Sequence, residues 1–434
     1  MPEVLEEVRH EQVPSPLAQV REEKHPLGPL KVVHAFWLAG MSCDGCSIAV
    51  VGATNPSVES LLSGTVAGMP KVVLHHSVLS VEAGEEFVHP YKLAEKGELG
   101  APYVVIYEGS IADERIAQAT GGYFSAMGVE NLGLDANGDE RIRPIPTAEW
   151  LKRMAPGAAA VLAIGTCATW GGVPAAAGNP TGSMSVMDFL GRDYRSAFGL
   201  PVINVPGCSP VGDNFTETVA MILLFLQGIT PLPEFDDLGR PAWLFSETVH
   251  QLCVRAGFYE EGTFAEKYGD KECLVEVGCW GPVVQCNITR RGAINGLGGC
   301  MNTGGICIGC TMPGFPDAFA PFYKKPPGTL FSSNASRAYG SVIRRLRRIT
   351  QSFHNREARW EWQGEVPSGW GDHPQHSWLH QGVHYFYEKW QHWDSPLPGR
   401  KGDDSKYWSI KRPDAVKPVN GGRVTTFRRN DDTN

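Results

Sequence analysis

The sequence predicts an α/β protein: an open, doubly wound parallel sheet, then an irregular cysteine-rich region, then a long aromatic extension. Three observations carry this reading. Short apolar runs bounded by glycine or proline recur between helical stretches, as in parallel strands covered on both faces. Beyond Gly228 the long periodic segments give way to glycine, proline and cysteine. From residue 324 onward cysteine disappears, while tryptophan and histidine accumulate.

Taken in order, residues 1–30 carry charge and proline without an apolar period, and read as a solvated arm. Apolar runs at 32–38, 72–75, 103–107, 159–164 and 202–205 predict five strands. The segment 213–227 predicts a helix, capped by Asp213 or Asn214, with Val219, Ile222, Leu223 and Leu226 on one face. Residues 31–230 are therefore assigned to one sheet domain. Residues 231–323 form a second domain, with too little periodic apolar sequence for a large core. Metal sites are expected to hold it, because ligand-binding energy becomes folding energy. Residues 324–434 carry a net charge of +8 against −16 for the rest, with seven of the 12 tryptophans and six of the 13 histidines.

Composition narrows the function. The chain has 434 residues, 42% hydrophobic and 20% charged, which is an ordinary globular balance with ample material for cores. The net charge of −8 argues against nucleic acid as a partner. The longest apolar runs, such as 219–226, fall far short of the roughly 18–20 residues of a membrane span. The N-terminus shows neither an export signal nor a twin arginine, so a cytoplasmic location is expected, with peripheral attachment to a membrane as its only membrane association. In that compartment eleven cysteines are metal ligands or redox groups rather than a disulfide framework.

The cysteines fall into three groups. Cys43 and Cys46 form a C-x-x-C after the first strand; Cys167 and Cys208 follow the fourth and fifth strands. In an open sheet these carboxyl ends meet at the topological switch point, so four thiols are expected to converge there. A lone C-x-x-C would equally suit a redox pair or half a zinc site. Unrelated buried thiols are the plainer reading, and four cysteines at three strand ends speak against it. His250 and Cys253, three residues apart on one helical turn, join Cys273 and Cys279 as a set fit for a cubane cluster or zinc. Cys286, Cys300, Cys307 and Cys310 complete the count, the last two in a glycine-rich C-x-x-C that suits zinc and iron–sulfur equally.

Together these segments resemble the small, electron-transferring subunit of nickel–iron hydrogenases. The resemblance rests on WLAGMSCDGC (37–46), YEGSI (107–111), GTCATWGG (165–172), NPTG (179–182), NVPGCSP (204–210), HQLC (250–253), GCWGP (278–282) and CIGC (307–310), and covers about two-thirds of the chain. It implies a flavodoxin-like first domain and three iron–sulfur clusters in line. The proximal cluster would take Cys43, Cys46, Cys167 and Cys208; the distal one, His250, Cys253, Cys273 and Cys279; the medial one, Cys286, Cys307 and Cys310. Proximal and distal are expected as [4Fe-4S]. A nickel–iron centre would lie on a separate large subunit, the principal partner, so this chain would itself hold no catalytic residue.

Three departures stand out. Many family members have a proline where this chain has Cys300, and bind a [3Fe-4S] medial cluster; Cys300 as a fourth ligand would make it [4Fe-4S]. Asp44 stands between two proximal ligands where the family has a small uncharged residue, and would act through charge or as an iron ligand. Ile48 replaces a family glutamate assigned to a proton path. These features, with the extension, align the chain with the actinobacterial-type, oxygen-insensitive uptake branch. The aromatic extension is expected to pack in a dimer or higher assembly, or on the large subunit, and the acceptor is expected to be one such as the quinone pool. The rival readings are a redox subunit of another respiratory complex, such as NADH dehydrogenase, and a zinc-stabilised scaffold.

Overall fold

Five parallel strands form the sheet that the apolar runs predict: β1 (Val32–Ala39), β2 (Lys71–His76), β3 (Tyr103–Glu108), β6 (Ala160–Ile164) and β7 (Val202–Val205). Their order is β2-β1-β3-β6-β7 and every pairing is parallel. This is the flavodoxin-like order, with its switch point between β1 and β3. In this computed structural model the described residues are 29–322, apart from 261, 266, 320 and 321. Most of the expected N-terminal arm and all of the 324–434 extension lie outside them.

Alternation along the strands builds two cores. Phe36, Leu38, Val105, Tyr107 and Val161 face one layer, packed by Tyr91, Trp150, Leu151 and Met154. Val33, Ala35, Trp37, Val104, Ile106 and Leu162 face the other, packed by Phe215, Val219, Ile222 and Leu226. Successive strand residues point to opposite faces, so runs with no polar alternation are what a doubly covered sheet requires.

The helices that matter for the site follow strand ends. They are α1 (Gly45–Val51) after β1, α2 (Gly165–Trp170) directly on β6, and α3 (Gly212–Leu226) after β7. The cap expected for α3 is not made. The helix starts one residue earlier, from Val211. Asp213 instead accepts the backbone N–H groups of Thr54 (2.6 Å) and Asn55 (3.0 Å). Asn214 exchanges side-chain hydrogen bonds with Asn287 at 2.8 and 3.0 Å. Both side chains are thus drawn into tertiary contacts.

An antiparallel hairpin, β4 (Ala126–Leu134) with β5 (Glu140–Pro146), interrupts the α/β alternation. Its exposed Leu134 and Ile142 give it little apolar periodicity, which hides it from a sequence reading.

Among its described residues the second region has only short helices, α4 (Val249–Leu252) and α5 (Ile288–Arg291) among them. Its core mixes Leu274, Val275, Trp280, Met312, Phe315 and Phe319 with four buried cysteines, 273, 279, 286 and 307. The segment before it still packs on the sheet, through Leu232, Phe235 and Leu238.

No helix among the described residues is long and apolar enough to cross a membrane.

Candidate functional site

The first cysteine group gathers at the carboxyl edge of the sheet. Cys43 and Cys46 flank the start of α1, Cys167 lies in α2, and Cys208 follows β7. Burial raises the thiol pKa values of Cys46, Cys167 and Cys208, that of Cys167 to about 12. Glu108 and the other three cysteines push Cys46 further in the same direction. Such mutual effects place the four sulfurs in one electrostatic neighbourhood. Gly165 makes the approach possible: its φ is +81°, and a Cβ there would collide with the Cys46 sulfur. Only glycine tolerates both conditions.

Thr166 ties this edge together. Its backbone N–H donates to the Gly207 carbonyl (3.0 Å), and its hydroxyl accepts from Gly207 N–H (3.1 Å). The same hydroxyl donates to the Cys310 carbonyl in the second region.

Glu108 is the residue that a count of cysteines misses. Its side chain is 1% exposed. It accepts from Trp37 Nε1 (2.9 Å), Cys46 N (3.1 Å), Ser47 N (3.4 Å) and Ser47 Oγ (2.5 Å). Four donors aimed at one carboxyl match a carboxylate, an acceptor-only group. The signal was a lone acid ending an otherwise apolar strand. His76 extends the network: its Nδ1 accepts from Val78 N at 3.1 Å, which leaves Nε2–H to donate to Ser47 Oγ at 2.9 Å.

Asp44 lies at the rim of this group, exposed, with φ +58° and its N–H bonded to Ser42 Oγ at 3.0 Å. Cys43 and Cys208 are exposed as well. On α1 Ile48 and Val51 are more than half exposed, as are Ile294 and Leu297; a Cβ on Gly52 at the end of α1 would lie 3.2 Å from Ile294. Exposed apolar side chains on the helix that follows an exposed sulfur mark a surface that expects a cover.

His250, Cys253, Cys273 and Cys279 line a single cavity, with Arg255 and Met301. A capping box fixes the first two: Thr248 Oγ accepts from Gln251 N, and Gln251 Oε1 accepts from Thr248 N. That single turn sets His250 and Cys253 three residues apart on α4 and its cap.

Cys286, Cys300, Cys307 and Cys310 form the third neighbourhood. Cys286 raises the pKa of both Cys307 and Cys310, and Cys300 raises that of Cys310. Cys300 thus lies in the electrostatic neighbourhood of Cys286 and Cys310, and of Cys279 as well. Burial is the main cause of every shift, and takes Cys286 to about 12.

A local motif repeats at these sulfurs. Two thiols receive the backbone N–H two residues on, Cys253 from Arg255 (3.4 Å) and Cys279 from Gly281 (3.4 Å), and the amides of Val275, Ile288 and Gly309 lower the pKa of Cys273, Cys286 and Cys307 against the effect of burial. Amides pointing at sulfur stabilise the thiolate, which is the ligating form. None of the eleven cysteines is in a disulfide. Among the described residues no three His, Cys, Asp or Glu side chains converge on a point fit for one ion. A tetrahedral zinc would need four donors within about 2.0–2.3 Å of one centre. Sets of thiols with amide donors beside them suit an iron–sulfur group.

Comparison with known proteins agrees with the geometry. Residues 245–323 match the family described as the C-terminal part of the NiFe/NiFeSe hydrogenase small subunit. Residues 43–222 match that described as NADH ubiquinone oxidoreductase, 20 Kd subunit. The periplasmic [NiFeSe] hydrogenase small subunit of Desulfomicrobium baculatum is 32% identical over 295 residues, 68% of this chain and 87% of the relative. The quinone-reactive Ni/Fe-hydrogenase small chain of Wolinella succinogenes is 29% identical over 303 residues, 69% of this chain and 75% of the relative. Among solved structures, an actinobacterial-type NiFe-hydrogenase from Ralstonia eutropha H16 matches with a TM-score of 0.66 at 50% identity, covering 75% of this chain and 92% of the other. The NADH dehydrogenase rival is thus matched in the sheet region, while the second region is the part specific to hydrogenases.

Proposed function

The chain belongs to the nickel–iron hydrogenase small-subunit family, and from that premise we propose how its residues relay electrons from hydrogen oxidised on the partner large subunit to an acceptor. Family members bind iron–sulfur clusters, and the donor sets described above suit them. In our reading there are three. Cys43, Cys46, Cys167 and Cys208 hold the proximal [4Fe-4S] cluster, with Asp44 beside it as a charge or a ligand. Cys286, Cys300, Cys307 and Cys310 hold a medial [4Fe-4S] cluster; His250, Cys253, Cys273 and Cys279 hold the distal one. When bound, the clusters supply one-electron redox chemistry. The chain's own residues hold, space and shield them, and tune them through hydrogen bonds to sulfur.

The observation that carries the reading is continuity between the three groups. The hydroxyl of Thr166, the residue before Cys167, donates to the Cys310 carbonyl, and the backbone N–H of Cys307 donates to the sulfur of Cys279 at 3.3 Å. These two contacts support the order proximal, medial, distal. The exposed end of this line, Cys43 and Cys208 with the exposed apolar residues of α1, is where the large subunit would dock. The test is metal analysis of the purified complex. About twelve irons per chain, no zinc, and nickel on the partner support the reading; a zinc-loaded, colourless chain would reject it.

The 50% identity to an actinobacterial-type enzyme supports the oxygen-insensitive branch. A quinone acceptor is proposed by likeness to the Wolinella chain, which is named quinone-reactive. A cytoplasmic or peripheral site is also our proposal, supported by eleven cysteines outside any disulfide; cell fractionation tests it against the periplasm named for the Desulfomicrobium relative. For the extension we propose packing in a multimer of the heterodimer, supported by its charge of +8 against −16 for the remainder. Deleting residues 324–434 would then shrink the complex in analytical ultracentrifugation.

A further inference from the structure

We propose that three charged side chains, Glu108, Arg240 and Arg255, make the proximal cluster environment negative relative to the medial and distal ones, so that electrons leave the proximal end downhill. The inference rests on the ligand assignment proposed above.

At the proximal end, the buried Glu108 carboxylate accepts from the backbone N–H of Cys46 at 3.1 Å. It acts electrostatically on both Cys46 and Cys167, in the sense that disfavours further negative charge. Asp44 adds a second carboxylate in the same loop.

At the medial group a buried ion pair, Arg240 with Asp236, turns its positive end toward Cys286. Arg240 is 2% exposed, inside the protein. Its Nε donates to Asp236 at 2.6 Å and its Nη2 donates to Gln285 Oε1 at 2.5 Å, the residue just before Cys286. Its guanidinium carbon stands 5.2 Å from the Phe245 ring centre. From there it favours the Cys286 thiolate electrostatically. The partner Asp236 is bound on the Nε side, so the cation is held between the carboxylate and the Gln285–Cys286 segment.

Around the distal group, Arg255 lines the same cavity as His250, Cys253, Cys273 and Cys279. Its Nη1 donates to the carbonyls of Asp270 (2.8 Å) and Glu272 (2.9 Å). That anchoring holds a cation which favours the thiolates of Cys253 and Cys273.

An electron added to a cluster adds negative charge. A fixed carboxylate beside it lowers the midpoint potential and a fixed guanidinium raises it, the more so where burial weakens solvent screening. Fixed charge is thus arranged to make the proximal cluster the poorest electron acceptor of the three. The three residues are positioning residues: they act on the clusters through space and ligate nothing.

The test is an EPR-monitored redox titration of the purified complex with its large subunit. Glu108→Gln should raise the proximal midpoint, Arg240→Gln should lower the medial one, and Arg255→Gln should lower the distal one, each leaving the other two clusters nearly in place. Arg240→Lys and Arg255→Lys keep the charge and should restore the midpoints. Where Arg240→Gln does not assemble, Asp236→Asn reads the same field with the opposite sign and should raise the medial midpoint. Fully loaded complexes whose midpoints stay put, or move the other way, overturn the gradient alone. A wild-type complex without three cluster signals overturns the proposed function, and the gradient with it.

Discussion

The backbone N–H of Cys307 donates to the sulfur of Cys279 at 3.3 Å. The two residues belong to different groups of the proposed ligands, so a single peptide unit links the two groups. The same sulfur also receives Gly281 N–H at 3.4 Å. We expect Cys279→Ser to perturb the medial cluster's EPR signal as well as removing the distal one, whereas Cys273→Ser should affect the distal signal alone. Equal effects on the medial signal would show that the bond carries no coupling.

Cys300→Ser tests the eleventh cysteine. Because Cys300 shares the neighbourhood of Cys286 and Cys310, its loss should convert the medial cluster to a three-iron form. Iron content should fall by about one per chain, and an oxidised three-iron EPR signal should appear. An unchanged spectrum would return Cys300 to a purely structural part.

Gly165→Ala should destroy the proximal site. The φ of +81° costs a residue with a side chain about 1–3 kcal/mol. The new Cβ would also meet the Cys46 sulfur well inside contact distance. Loss of the proximal EPR signal with the medial and distal signals retained is the expected outcome.

Asp44→Asn removes a carboxylate from the loop between Cys43 and Cys46. The proximal midpoint should rise, since one negative charge is lost. The cluster's spectrum then decides the carboxylate's role: an altered spectrum reports an iron ligand, an unaltered one reports charge alone.

Three histidines make the sheet acid-sensitive. Burial lowers the pKa of His34 and His76, and takes that of His75 from 6.5 to about 4, with His34 adding to the effect and Glu82 opposing it. His34 Nδ1 and His75 Nε2 stand 2.8 Å apart, where only one proton fits between them. The folded chain thus keeps imidazoles neutral that the unfolded chain protonates. Stability is full above about pH 6.5 and is lost as the pH falls toward about 4, where His75 itself protonates. Urea midpoints at pH 7 and pH 5 should differ in the wild type and differ less in His75→Gln.

Much of this chain is legible without coordinates. The strand runs and the convergence of three strand ends follow from patterns with a short physical range. Apolar continuity reports two covered faces, and the cysteine spacings report single turns. The hairpin β4–β5 was not legible, since its outward residues follow no clear alternation. Nor was the start of α3, because Asp213 is claimed by amides 158 and 159 residues away in sequence.

The sequence by itself determined the fold class and the family, because these depend on residue type and local spacing. Tertiary structure decided which charges stand beside which sulfurs. Glu108 meets Cys46 only because β3 pairs with β1. Arg240 reaches the Gln285–Cys286 segment across 45 residues of chain, and Cys307 touches Cys279 across 28. Electrostatic tuning depends on distance through space and on burial, and neither is written in the order of residues.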